Sequence, residues 1–160
     1  MNEVMIFGKC IPVLEQEAGK DSVQFKDSKI LITSHQESAN NLLNEFLENT
    51  LYSELFKIYE QMKKERGIQV LGDLDFEIMK KIDSREERIA KLKGNRILVK
   101  KNAVMLPRLV LEYVVAHEIA HVTTKRHTKL FWKTVELMCP NFEEAQELLS
   151  KYTHLFLDGK

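Results

Sequence analysis

Short apolar runs separated by turn residues open the chain and predict strands. Residues 4–7 and 11–14 flank Gly8-Lys9, and residues 23–25 and 30–32 flank a Lys-Asp-Ser turn centred on Asp27. Glycine, aspartate and serine are typical of tight turns between paired strands. We therefore expect the first 33 residues to form a small set of strands.

A helical pattern follows over residues 34–67. Ser34 and Glu37 have the spacing of a capping box, in which each side chain binds a backbone amide at the helix start. Gly67 is a plausible terminator. The apolar residues behind the cap recur at three- and four-residue steps, which predicts a helix that packs one face on the core: Leu42, Leu43, Phe46, Leu47, Leu51, Leu55, Ile58, Tyr59 and Met62.

Residues 68–101 return to a strand pattern. Phe76 and Ile78 alternate with acidic residues, as in a half-buried strand. Residues 89–92 and 97–99 are joined through Gly94-Asn95, which predicts a hairpin.

The C-terminal third predicts helices again. Pro107 suits the start of a helix that runs through a pair of histidines, and a break is expected near Lys125. A helix over residues 128–138 and another, capped by Asn141 and ending about Tyr152, complete the pattern. With no internal repeat or linker, residues 1–160 are predicted to form one α+β domain: strands over 1–33, a helix over 34–67, strands over 68–101, and helices over 107–160.

Composition excludes a disordered chain and a strongly basic protein. Of 160 residues, 44% are apolar and 30% are charged, and 24 basic side chains balance 24 acidic ones. Residues 80–101 nevertheless carry nine Lys or Arg against Asp83, Glu86 and Glu87. This stretch predicts either a solvated hairpin or a surface for phosphate or an acidic substrate. It contains no aromatic residue on which a base could stack.

The N-terminal sequence predicts a cytoplasmic protein. It has no basic region followed by an apolar core, as a signal peptide would, and no stretch approaches the roughly 20 apolar residues of a membrane span. Cys10 and Cys139 lie far apart and form no Cys-x-x-Cys pair, as expected of reduced thiols.

Residues 117–121 read His-Glu-Ile-Ala-His inside the apolar helix. Side chains four residues apart lie on the same helix face, so His117 and His121 can converge on one ion. Imidazole nitrogens of this kind bind zinc. Glu118 points in a different direction, from which its carboxylate can reach a water molecule beside the ion and act as the catalytic base.

A catalytic zinc site needs a third protein ligand. His127 follows His121 by six residues, and a turn over residues 123–126 would return it to the ion. Three histidines with one open position form a well-attested catalytic set, so His127 is preferred. The alternatives are carboxylates, namely Glu136, Glu143 and Glu144.

The stretch from Tyr113 through the two histidines and His127 to Phe131-Trp132 and Pro140 resembles the YgjP-like and SprT-like zinc metallopeptidases. This resemblance implies a minimal zincin-like fold, a small antiparallel-rich sheet backed by helices. It implies that His117, His121 and His127 bind one Zn²⁺ and that Glu118 is catalytic. It also implies that substrate lies along an edge strand near residues 96–100.

Two departures bear on the site. Where metzincins have a glycine seven residues after the first histidine, this chain has Thr124. The group that would stabilise the oxyanion is not fixed by the motif, and the candidates are Arg88, Tyr152 and His154.

The expected function is therefore hydrolysis of peptide bonds in a protein or peptide substrate, with no membrane partner. The alternative hypothesis is a non-catalytic, metal-stabilised module that associates with nucleic acid, DNA in particular, through the basic hairpin of residues 80–101.

Overall fold

A computed structural model of the chain describes residues 3–35, 38–66 and 73–156. The strands in these ranges are β1 Glu3–Ile6, β2 Lys9–Glu17, β3 Ser22–Lys26, β4 Lys29–Ser34, β5 Asp75–Met79, β6 Ala90–Lys93 and β7 Arg96–Lys100. The α-helices are α1 Ala39–Arg66, α2 Arg108–Thr123, α3 Lys129–Met138 and α4 Phe142–Ser150. Short 3₁₀ turns cover Lys101–Met105 and Thr153–Phe156. The α+β class expected from the sequence is confirmed.

The strands form two small sheets rather than one. The first has the order β1-β2-β4-β3, in which two antiparallel hairpins are joined by the parallel pair β2 and β4. The second has the order β5-β7-β6, with β5 parallel and β6 antiparallel to the central β7. Apolar periodicity reports which side of a strand is buried but not which strand lies beside it, so the division into sheets was not visible in the sequence.

The predicted hairpin turns are present. Asp27 and Ser28 both have positive φ, 54° and 60°, which matches a two-residue turn of type I′ between β3 and β4. Gly94 has a φ of 63° between β6 and β7. Such turns follow the right-handed twist of the strands and fix the register of each hairpin.

Helix α1 begins later than predicted. Ser34 is the last residue of β4, and the Ser38 side chain accepts a hydrogen bond from the Asn41 amide instead. Glu37 and Gly67, the other predicted boundary residues, lie outside the described residues. The predicted apolar stripe is confirmed, since its members are buried or packed against the core. In the described ranges, no helix combines the length and apolar character needed to cross a membrane.

The tip of the first hairpin anchors the N-terminal sheet to the segment that precedes α2. The amides of Phe7 and Gly8 donate to the carbonyls of Val104 and Met105 at 2.7 and 2.9 Å. Both residues have positive φ, 51° and 85°. This turn therefore combines an unusual backbone conformation with a close approach to the core.

The C-terminal helices follow the predicted plan with one exception. Pro107 precedes α2, and α3 begins after Thr128, whose hydroxyl accepts a hydrogen bond from the Phe131 amide. Asn141 precedes α4, but its side chain makes no capping hydrogen bond. The predicted side-chain cap is therefore wrong. The acidic residues Glu143 and Glu144 occupy the first turn instead, where the helix dipole favours negative charge.

We expect Gly8→Ala to lower the free energy of unfolding by about 1–3 kcal/mol. Its φ of 85° disfavours any side chain, and an added Cβ would lie 3.2 Å from Pro107 Cγ. Gly19→Ala is the control, since a Cβ there meets nothing within 4 Å. Chemical denaturation of the two variants measures the difference, and equal stabilities would contradict the role given to the Phe7–Gly8 turn.

Candidate metal centre

Helix α2 carries the central part of the site in an almost entirely apolar environment. Its buried residues run from Val110 to Ala120, and it packs against α1, α3, α4 and β6. A helix that is apolar on nearly every side becomes buried on nearly every side. The polar arc formed by His117, Glu118 and His121 faces the remaining opening, which is a cleft.

The end of α2 returns the chain toward this arc. Helix α2 ends at Thr123, and Thr124 is extended, with φ −140° and ψ 112°, while its amide still donates to the Ala120 carbonyl. Since no left-handed residue is needed here, threonine serves where metzincins have glycine. The following loop ends at Thr128, so the predicted break near Lys125 is confirmed.

Three histidines meet at the mouth of this turn. One ligand nitrogen from each of His117, His121 and His127 lies within 4.8 Å of the others. His117 and His121 are half-buried and His127 is exposed. Among the described residues, no carboxylate joins the cluster. The alternative third ligands Glu136, Glu143 and Glu144 are all exposed and lie outside the cleft.

Hydrogen bonds orient two of the imidazoles. His121 Nδ1 lies 3.1 Å from the Thr124 carbonyl oxygen, and His117 Nδ1 lies 3.1 Å from Glu118 Oε2. Both partners are hydrogen-bond acceptors, so these contacts favour the tautomer with the proton on Nδ1, which leaves Nε2 available as a ligand. This pattern is typical of histidines that bind metal. Three imidazoles also match the nitrogen donor set that zinc prefers.

The pKa of His127 lies below its usual value. Desolvation is the first cause, followed by the neighbouring imidazoles of His117 and His121, which disfavour a third positive charge. The ring therefore stays neutral to a lower pH than a solvated histidine, and a neutral ring is the form that binds a metal ion.

Aromatic side chains pack against the three histidines. The Phe131 ring is fully buried, and its centroid lies 4.6–5.1 Å from those of all three imidazoles. Trp132 stacks on Phe142 with 5.7 Å between centroids and lies 6.0 Å from His127. Trp132 therefore packs beside the histidines, between His127 and Phe142.

Glu118 is a buried carboxylate, only 7% exposed, that joins α2 to the neighbouring sheet. Its Oε1 accepts a hydrogen bond of 2.9 Å from the backbone amide of Leu92 in β6, and its Oε2 contacts His117. Burying a carboxylate is costly unless such partners compensate for the lost water. The two contacts therefore hold the carboxylate in one orientation at the cleft.

Strand β6 is the edge of its sheet, and half of its backbone groups face outward. The Lys100 amide donates a hydrogen bond to the Ile89 carbonyl. Ile89 is therefore in a hydrogen-bonded position of the pairing with β7. In an antiparallel pair this bonding alternates, so Ala90 and Leu92 direct their amides and carbonyls away from β7. These outward groups lie along the cleft.

The prediction that residues near 96–100 form an edge strand is therefore wrong. Residues 96–100 form β7, which is central and paired on both sides. Its backbone groups are used within the sheet, and the edge beside the histidines is β6. A hairpin pattern in the sequence identifies two strands but not which of them has a neighbour on its other side.

The cleft has a volume of about 890 Å³ and holds only one of the three oxyanion candidates. Arg88 lines it together with His117 and Glu118. Tyr152 lies near the Phe7–Gly8 turn, and His154 is exposed outside the cleft.

Sequence reasoning missed three contacts that shape the site. The amide of Leu92 and the carbonyl of Thr124 are backbone groups. Almost every residue has these groups, so the amino-acid type does not show which of them is used. Tyr113 packs the edge of its ring against His117, with 5.8 Å between centroids. Its position four residues before His117 was the available signal, because residues at that spacing are neighbours on a helix.

An α+β fold with three clustered histidines and a buried glutamate beside them has the features of a metal-dependent hydrolase. Residues 2–152 match the family model described as the YgjP-like metallopeptidase domain, and the chain belongs to this family. The protein is therefore a metallopeptidase, as predicted. The SprT-like part of the resemblance stays a prediction.

A solved structure is also similar. The crystal structure of the metallopeptidase zymogen of Pyrococcus abyssi abylysin aligns with a TM-score of 0.48 and 23% identity, over 62% of this chain and 92% of that one. No curated protein matches the sequence.

We expect His117→Ala and His127→Ala each to weaken Zn²⁺ binding by about 100-fold or more, because each removes one of three nitrogen donors. His154→Ala is the control, since His154 lies outside the cluster and is exposed. Equilibrium dialysis with metal analysis measures the affinities. Zinc binding that persists in the double variant His117→Ala/His127→Ala would contradict the ligand assignment.

Proposed function

We propose that this metallopeptidase hydrolyses peptide bonds with one Zn²⁺ ion bound by His117, His121 and His127, and with Glu118 as general base. The observation that carries this proposal is the convergence of three imidazoles from α2 and the loop after it, beside a buried carboxylate. Membership of the metallopeptidase family supports the requirement for a metal.

The donor set supports zinc and a single ion. One nitrogen from each histidine lies within 4.8 Å of the other two, so the three imidazoles would hold one zinc ion. When bound, the ion would act as a Lewis acid and would lower the pKa of water, which is the chemistry that peptide hydrolysis needs.

Glu118 is the residue that moves protons in this proposal. Its carboxylate accepts a proton from the attacking water and passes it to the nitrogen of the leaving amine, which separates as the C–N bond breaks. The Leu92 amide and His117 hold the carboxylate toward the cleft, so little reorganisation is needed when the proton is transferred.

The open edge of β6 is the proposed binding site for the substrate backbone. An extended peptide can add to this edge as a further strand, with its backbone groups paired to the amide and carbonyl of Ala90 and to the carbonyl of Leu92. Strand β6 also contributes the amide that contacts Glu118. A peptide bound there would lie next to the general base, which supports a peptide or protein as the substrate.

In the part of the chain that the structure describes, no feature favours the alternative of a nucleic-acid module. Lys100, a candidate phosphate contact, is only 7% exposed, and its ammonium donates to backbone carbonyls of Arg85 and Glu86. The family match does not extend to DNA association. Three residues of the basic stretch, Arg85, Arg88 and Lys91, line the cleft instead.

A cytoplasmic location remains part of the proposal. It is supported by the sequence, in which the two cysteines, Cys10 and Cys139, lie far apart and form no Cys-x-x-Cys pair.

We expect Glu118→Gln to lower kcat by about 100- to 10,000-fold while zinc affinity stays within a few-fold. Glutamine has the same shape and can still accept the Leu92 amide, but it cannot take up a proton at neutral pH. Glu136→Gln is the matched control, because Glu136 is exposed on α3 and lies outside the cleft. Peptide hydrolysis by zinc-loaded protein is the measurement, and unchanged turnover in Glu118→Gln would refute the assigned role.

A further inference from the structure

We infer that the cleft selects acidic peptide segments, in which aspartate or glutamate side chains flank the bond to be cleaved. We call the recognition surface the cationic wall. It consists of four residues that line the cleft, namely Arg85, Arg88, Lys91 and, from the loop after α2, Lys125. This inference rests on the proposed function, because it assigns a substrate class to the same cleft.

The charges that line the cleft are unbalanced. Among the described residues, four cationic side chains line it, against the carboxylates of Glu87 and Glu118. The three imidazoles carry no negative charge, and a bound divalent cation would increase the positive excess. A cleft lined by one sign of charge attracts substrates of the opposite sign.

Asp83 holds three residues of the cationic wall in place. It accepts a hydrogen bond of 2.9 Å from the Arg85 amide, and ion pairs join it to Arg88 Nε at 3.0 Å and to Lys91 Nζ at 3.8 Å. The Arg85 amide holds the pKa of Asp83 below its usual value, and the positive charges of Arg88 and Lys91 lower it further. Asp83 therefore remains ionised and keeps both cations near the cleft.

Lys100 attaches the same loop to the sheet. Its side chain is buried, and its ammonium donates to the backbone carbonyls of Arg85 and Glu86. Because Lys100 ends the central strand β7, the loop is fixed to the same sheet that provides the edge strand β6. The positions of the cations are thus set relative to a peptide bound along β6.

The cations of the wall retain capacity for a substrate carboxylate. Arg88 and Lys91 share the single carboxylate of Asp83, and Arg85 is paired with the exposed Glu87 at 3.2 Å. The Arg85–Glu87 pair is exposed, and exposed pairs contribute little free energy. Lys125, on the loop after α2, has no carboxylate within ion-pair distance among the described residues.

An acidic peptide suits this surface better than a nucleic acid does. Residues 80–101 contain no aromatic side chain, and the aromatic residue of the cleft lining, Tyr113, is buried with its ring against His117. Base stacking therefore has no platform here. The outward backbone groups of β6 match a peptide, because only a peptide offers alternating amides and carbonyls.

The test compares three peptides that share one cleavable core and differ in the flanking residues, which are Glu, Gln or Lys. With the zinc-loaded full-length protein, we expect kcat/KM for the Glu peptide to exceed that for the Lys peptide by about tenfold, from several contacts of a few-fold each. The ratio should fall toward one in about 0.5 M NaCl, where exposed charges are screened. Equal rates, or a preference for Lys, would overturn the inference.

The double variant Lys91→Gln/Lys125→Gln tests the residues directly. Both side chains are exposed and line the cleft, so their replacement leaves the core intact. We expect the Glu peptide to lose about three- to tenfold in kcat/KM, with a much smaller change for the Gln peptide. Lys133→Gln, an exposed lysine outside the cleft, is the matched control. An equal loss for both peptides would also overturn the inference.

A binding measurement separates this inference from the proposed function. Fluorescence anisotropy of labelled Glu and Lys peptides on the Glu118→Gln protein reports recognition without turnover. If the Glu peptide binds more tightly while no peptide is ever cleaved by the unmodified protein, the catalytic proposal fails and the inference stands. If all peptides are cleaved without charge preference, the reverse holds. Binding of a short labelled single-stranded DNA, together with no binding of the Glu peptide, would overturn the inference.

Discussion

The burial of α2 is the constraint on which the rest of the structure depends. Other helices and the edge strand cover its apolar sides, and His117, Glu118 and His121 form the polar arc that faces the cleft. Glu118 lies within this arc as a buried carboxylate, and burial of a charge requires compensating partners. Leu92 and His117 provide them. The same requirement that keeps α2 stable therefore fixes the orientation of its catalytic candidate.

One short segment serves several purposes as a result. The loop that contains Asp83 and Arg88 leads directly into β6, and β6 provides both the open sheet edge and the amide that contacts Glu118. Lys100 fixes this loop to the neighbouring strand from behind. The proposed charge selectivity, backbone recognition and orientation of the base are thus coupled mechanically, because a shift of β6 would alter all three.

The sequence predicted the elements and the histidine cluster better than their arrangement. Residues four apart on a helix must share a face, so the meeting of His117 and His121 followed from spacing, and the turn before Thr128 returned His127 as expected. The neighbours of β7 and the burial of Lys100 did not follow, because they depend on contacts between residues distant in the chain. The partner of Glu118 is a backbone amide 26 residues away, which no residue pattern could reveal.

The open edge of β6 also bears on how the protein avoids self-association. An unpaired strand edge is a template for the same strand of another copy, and long apolar edges promote aggregation. Strand β6 has only four residues, two of which are Lys91 and Lys93, and its Leu92 amide is already occupied by Glu118. A second copy of β6 would bring lysines against lysines. The edge can therefore stay open to solvent beside the metal site without pairing with β6 of a second copy.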